Sequence, residues 1–252
     1  RSIDTPPAAQ HPPLSYPRPM NDQEHTETET TEPRPPAPGE PRPGVFERRL
    51  IAARELPWIM RRHILTGCLG TVWGTVSTGL LFTWFGNTVG MSRFQWGLLG
   101  AVGAWVVLMQ PVGALLASRW GCRKKVWFWF ALGERLLRLL AVTGAFLAWR
   151  AGMPSAWVIL VALVSLSAAS GNLAAPVWWG WLATIIPRQM QGTFWGRRDT
   201  WTSIAVAVVI LPVTFLLDRV PASVKPVAVL AALAAAGAAG IMDILLHVAI
   251  PE

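Results

Sequence analysis

AWVILVALVSLSAASGNLAAPVWWGWLATII, residues 156–186, runs 31 residues without a charged side chain. As an α-helix, at about 1.5 Å per residue, it would extend roughly 46 Å, more than the roughly 30 Å hydrocarbon core of a bilayer. A segment of this kind is read as a membrane span that tilts, breaks at Pro176 or extends past the bilayer.

Five further apolar runs surround it: about Ile64 to Val89, Trp96 to Ala117 and Val126 to Trp149 before it, and Trp201 to Leu217 and Pro226 to Ile250 after it. The fifth run in chain order, Trp201 to Leu217, is short for a span. A buried helix of a soluble protein explains one such run but not six in succession. The expected fold is therefore an all-α membrane protein, a six-transmembrane-helix bundle spanning residues 64–252. Pro111, Pro176 and Pro212 fall inside these runs, as membrane helices tolerate when neighbouring groups satisfy the freed carbonyl. Gly70 and Gly74, and Gly86 and Gly90, have the GxxxG spacing that permits close helix packing.

Composition agrees. The chain is 52% hydrophobic and 14% charged, against about 25% charged in soluble domains. Its net charge of +8 mixes two regions: residues 1–44 hold seven acidic and four basic side chains and twelve of the 21 prolines, and the remainder holds 18 basic and seven acidic. Residues 1–44 are expected to form a disordered, acidic, Pro-rich tail with too little apolar surface to offset ordering. Residues 45–63 read as a basic amphipathic juxtamembrane segment. The basic residues sit in short clusters between spans, not in one patch, which argues against a nucleic-acid partner.

Those clusters set the expected orientation. Twelve Lys/Arg lie before the first span and in the loops after the second and fourth, and four lie in the opposite loops. The positive-inside rule then places both termini in the cytoplasm. Tryptophans near span ends, among them Trp120, Trp127, Trp178, Trp179, Trp195 and Trp201, suit interfacial anchoring; a stacked aromatic site for a solute is the alternative reading. Cys68 and Cys122 give no disulfide framework. No grouping of His, Cys, Asp and Glu has zinc spacing, and no nucleotide or nucleophile motif is present. No metal, cofactor, catalytic constellation or enzymatic activity is expected.

Two basic loops carry a family resemblance. The first reads GALLASRWGCRKKVW from Gly113 to Trp127. A glycine there permits a tight turn, and its cations hold the loop on the cytoplasmic side. It resembles the major facilitator superfamily signature G-x-L-A-D-R-x-G-R-K, matching at Leu116, Ala117, Arg119, Gly121, Arg123 and Lys124. Ser118 replaces the family's aspartate, Ala114 its leading glycine and Cys122 its first cation after the turn. The second, PVWWGWLATIIPRQMQGTFWGRRDTW from Pro176 to Trp201, is similar to the pattern P-x-x-x-x-G-x-x-x-G-R-R-[ND] of a bacterial branch, at Pro187, Gly192, Gly196, Arg197, Arg198 and Asp199. Asp199 suits an N-cap opening the fifth span. The resemblance covers residues 45–252. It implies the N-terminal half of a twelve-span transporter, built from two three-helix inverted repeats and placed in a bacterial inner membrane. The partners are then a small solute, the lipid bilayer, and a missing C-terminal six-helix half or a second copy of the chain.

Four charges fall inside expected spans: Glu134, Arg135 and Arg138 in the third and Asp243, with His247 near it, in the sixth. Charged groups at membrane depth are costly unless paired or functional. Glu134 and Arg138 are spaced i,i+4 and can pair on one helix face, and Asp243 lies at a depth that reaches Arg135 or Arg138. The cluster reads either as a network that fixes helix packing or as a site for proton coupling or solute attraction. In the family the first and fourth spans line the path, which favours the packing role. Secondary transport is the leading functional expectation; a six-helix membrane assembly or pigment-carrier factor without transport activity is the alternative.

Overall fold

The computed structural model describes Ile51 and residues 53–252, and the expectations for the tail and for the basic stretch up to Leu50 lie outside the described residues. The described chain is helical: α1 (Leu56–Thr78), α2 (Leu80–Thr88), α3 (Arg93–Trp105), α4 (Met109–Trp120), α5 (Arg123–Arg150), α6 (Ala156–Ile185), α7 (Arg188–Arg219) and α8 (Lys225–His247), with 3₁₀ turns at Ala53–Glu55 and Val106–Leu108.

These helices supply five spans by length and apolarity: 53–88, 93–120, 156–185, 188–219 and 225–247. The sixth, α5, is 28 residues long, and Glu134, Arg135 and Arg138 in its middle set it apart in composition. The protein is an all-α membrane protein with five to six helices able to cross a bilayer. Large side chains exposed on its surface, such as Leu147, Val208, Leu211 and Phe215, suit contact with acyl chains.

Two spans are interrupted. The first is broken at Gly79, which has extended backbone angles between α1 and α2. The second contains the 3₁₀ turn Val106–Leu108, just ahead of Pro111. A proline lacks an N–H and its ring crowds the carbonyl four residues earlier, here that of Val107. Pro176 and Pro212 lie inside continuous helices.

The helix starts differ from the sequence reading at two places. The described part of the juxtamembrane stretch, Leu56–His63, is the opening of α1 itself, with Ile59 and His63 buried in the bundle. The fifth span begins at Arg188 and runs 32 residues, so Asp199 lies inside α7 and is not its N-cap; Pro187 holds that position. Proline's fixed φ suits a helix start, and the polar stretch Arg188–Thr200 is helical, not a loop. The glycine pairs of the first span also divide. A Cβ on Gly70 would meet Asp243, whereas one on Gly74 would meet nothing within 4 Å. Gly86 is packed by Trp96, and Gly90 serves a turn with φ of +89°.

The buried apolar residues fall into two groups. One includes Val76, Phe82, Phe85, Ala141, Leu160 and Leu233; the other includes Ile59, Val126, Trp127, Trp181, Phe194 and Ile244. Along α1, α5 and α6 the segments between the two groups carry glycines, alanines and charges, and there the bundle opens internally.

Candidate solute site

The charged residues of α5 and α8 meet in this middle layer. Asp243 is 5% exposed and Arg138 8%. The Arg135 guanidinium pairs with the neighbouring Glu134 carboxylate and lies 3.6 Å, Nη2 to Oδ2, from Asp243. It also stacks on Trp73 of α1, 3.8 Å from the ring centroid. Asp243 therefore reaches Arg135, one of the two partners its depth allows.

Arg138 does not pair with Glu134 as the i,i+4 spacing allows. Its Nε donates to Ser167 Oγ at 3.3 Å, its Nη1 donates to the Ser77 carbonyl at 3.4 Å, and it faces the Phe82 ring. The reason lies in α1, which ends at Thr78. The last carbonyls of a helix lack intrahelical donors and carry negative partial charge, and Arg138 satisfies one of them. Two carboxylates, Glu134 and Asp243, are left sharing Arg135.

Helix–helix spacing makes room for this cluster. A Cβ at Gly171 of α6 would sit 2.5 Å from the Glu134 carboxyl carbon, and one at Gly70 would sit 2.6 Å from Asp243 Oδ2. A Cβ at Gly240 of α8 would lie 2.5 Å from the Trp73 ring. His247 Nδ1 lies 2.9 Å from the Asp243 main-chain carbonyl and 3.2 Å from its Oδ1. One N–H cannot serve both acceptors well; with the shorter contact taken by the carbonyl, the buried Oδ1 is left without a hydrogen bond.

Around the cluster lies a cavity of about 350 Å³, lined from α1, α5, α6, α7 and α8. Its size is at the small end of the range of about 300–1,000 Å³ for ligand sites. Charged lining comes from Glu134, Arg135, Asp243 and Arg198, and aromatic lining from Trp73, Trp127, Trp178 and Trp179. Trp179 is 55% exposed, so the cavity has a side reachable from outside the bundle.

Arg198 is the residue whose position the sequence disguised. Of the adjacent cations on α7, Arg197 is exposed and Arg198 is turned inward. Its guanidinium carbon lies 5.3 Å from the Trp178 ring centroid and 5.5 Å from that of Trp195. Its Nε is buried without a hydrogen-bond partner, and its ion pair with the exposed Asp199 is long, at 3.9 Å. Pro187 and the exposed Gly192 and Gly196 of the same motif are outside the cavity lining. A basic dipeptide ahead of an apolar run reads as a topology signal, and only the helical phase of α7 shows that one member points inward.

The first loop motif forms a separate structure at the end of the bundle. Gly121 caps α4 with φ of +65°, a left-handed conformation that glycine adopts without steric cost. Glu252 Oε1 accepts from the Arg123 N–H at 2.7 Å, and Oε2 accepts from the Lys124 N–H at 3.2 Å and from the Cys122 thiol. A carboxylate thus satisfies the first amides of α5, where the helix dipole favours negative charge. The Lys124 ammonium donates to the Val248 carbonyl, Arg123 Nη1 to the Gly180 carbonyl and Trp181 Nε1 to the Pro251 carbonyl. Leu116 packs on the adjoining apolar group, while Ser118 and Arg119 are exposed. The sequence reading took the loop's cations as an anchor and missed Glu252, because nothing local in sequence links positions 130 residues apart.

No protein-family model, curated protein or solved structure matches the chain. Among the described residues no group of His, Cys, Asp and Glu could hold a metal ion.

Proposed function

We propose that the chain is a six-helix half of a secondary transporter of the major facilitator type, moving a small solute by alternating access. It sits in a bacterial inner membrane with both termini cytoplasmic, as two three-helix inverted repeats. A second six-helix body, in the same polypeptide or in another copy, completes the path. The observation that carries this reading is the charged cavity of about 350 Å³ between α1, α5, α6, α7 and α8. Charged side chains at membrane depth are costly, and those that face a cavity mark solute and ion pathways. Membership of that superfamily rests on the two loop motifs.

Reconstitution of the full-length protein into liposomes tests the proposal. Uptake of a panel of small solutes is measured with and without an imposed proton gradient. Saturable uptake of at least one solute above protein-free vesicles is expected. Uptake no greater than in protein-free vesicles across the panel contradicts transport.

A further inference from the structure

The cavity lining holds two groups of opposite charge on different helices, Arg198 of α7 and Asp243 of α8. The positive pole is Arg198. Its Nε lies 2.8 Å and its Nη2 3.0 Å from where a Cβ on Gly67 would be. The negative pole is Asp243, whose Oδ2 lies 2.6 Å from the corresponding position on Gly70. Gly67 and Gly70 are three residues apart on α1, so the two groups stand on one helix face with roughly 5–6 Å between the positions they cover. Among the described residues no ion pair joins Arg198 to Asp243.

Each pole has unspent capacity. Arg198 holds a buried Nε with no hydrogen-bond partner, and Asp243 a buried Oδ1 whose nearby donor, His247 Nδ1 at 3.2 Å, is nearer the Asp243 main-chain carbonyl. Glu134 and Asp243 together place two carboxylates on Arg135. Arg198 supplies one positive charge on the other side. A cavity with separated poles is matched neither by a simple anion nor by a simple cation, each of which satisfies one pole and strands the other. Buried polar groups left unpaired are what give such sites their discrimination.

We infer that the cavity binds a small zwitterion, with its carboxylate on Arg198 and its ammonium on Asp243. Trp178 and Trp179 offer an apolar wall to the remainder of the ligand. This rests on the proposed transport role for its physiological meaning, but the binding itself does not require transport.

The test is ligand-dependent thermal stability of the purified full-length protein in lipid nanodiscs. The zwitterionic probes are alanine, leucine, β-alanine and γ-aminobutyrate; the singly charged controls are propionate and propylamine. At least one zwitterion is expected to raise Tm progressively with concentration, with both controls inert. Arg198→Gln is expected to weaken that zwitterion roughly 10- to 100-fold, the loss of a charge-assisted contact. Asp243→Asn checks the other pole, and the wild-type comparison stands if either variant fails to fold. No response to any of the four zwitterions, or an equal response to propionate or propylamine, overturns the inference. Uptake in liposomes of a solute that is not zwitterionic, with no zwitterion bound, sinks the inference and leaves transport standing. Zwitterion binding without uptake does the reverse.

Discussion

Asp243 of α8 fills the space that Gly70 of α1 leaves open, with Oδ2 only 2.6 Å from where a glycine-to-alanine change would put a methyl carbon. Gly70→Ala is therefore expected to push α1 and α8 apart or drive the carboxylate from Arg135, at about 1–3 kcal/mol. Gly74→Ala, one turn on and facing open space, should change stability by no more than about 0.5 kcal/mol. Thermal denaturation of the two variants in one detergent checks the contrast. Equal losses would show that the glycines serve the helix backbone and not the carboxylate.

The sharing of Arg135 between two acids predicts an order among neutralising variants. Arg135→Gln strands both Glu134 and Asp243 and should be the costliest single change, about 3–5 kcal/mol. Asp243→Asn leaves Glu134 and Arg135 matched and should cost less. The double variant should cost less than the sum of the two by about 1–3 kcal/mol, as groups in one network do. A double-mutant cycle on unfolding measures this, and additive values would mean that Arg135 and Asp243 do not interact.

Glu252 predicts a local effect at the start of α5. Glu252→Ala removes the acceptor for the Arg123 and Lys124 amides and should cost about 1–2 kcal/mol, the range for losing a helix cap. Hydrogen exchange at the amides of residues 123 and 124 should rise while exchange in the middle of α5 stays slow. Unchanged exchange at those two amides would remove the clamp.

The orientation proposed from loop charges predicts opposite accessibility for two exposed serines. With Cys68 and Cys122 replaced by serine, single cysteines at Ser118 and Ser223 should react with an impermeant maleimide from opposite sides of oriented vesicles. Labelling of both from one side contradicts the even-span topology.

The spans were legible in the sequence because a run such as residues 156–186 has few other uses, and the glycine turn at Gly121 because a basic helix end needs a stop. The charges of α5 were legible as anomalies within an apolar run. Their partners were less so. Spacing along one helix suggests Glu134 with Arg138, but the end of α1 offers Arg138 a bare carbonyl at Ser77, and no local pattern reveals which helix end lies beside which side chain. Arg198 was hidden for a related reason. Its polar surroundings read as a loop, whereas α7 starts at Arg188 and its helical phase sends Arg198 inward. Gly171 gave no sign of its part either, since a missing Cβ matters only once Glu134 is known to lie across from it.

Blocking the cavity is the most direct test that solute passes through it. A single cysteine is placed at Ala175, which lines the cavity, in the protein lacking Cys68 and Cys122. A second is placed at Leu211, which is 67% exposed on the bundle's surface. Each is reconstituted into liposomes and treated with a charged methanethiosulfonate, and uptake of the transported solute is measured. The account predicts that modification at position 175 abolishes uptake, that excess solute slows the modification, and that modification at 211 leaves uptake intact. Full uptake after complete modification at position 175 would contradict it.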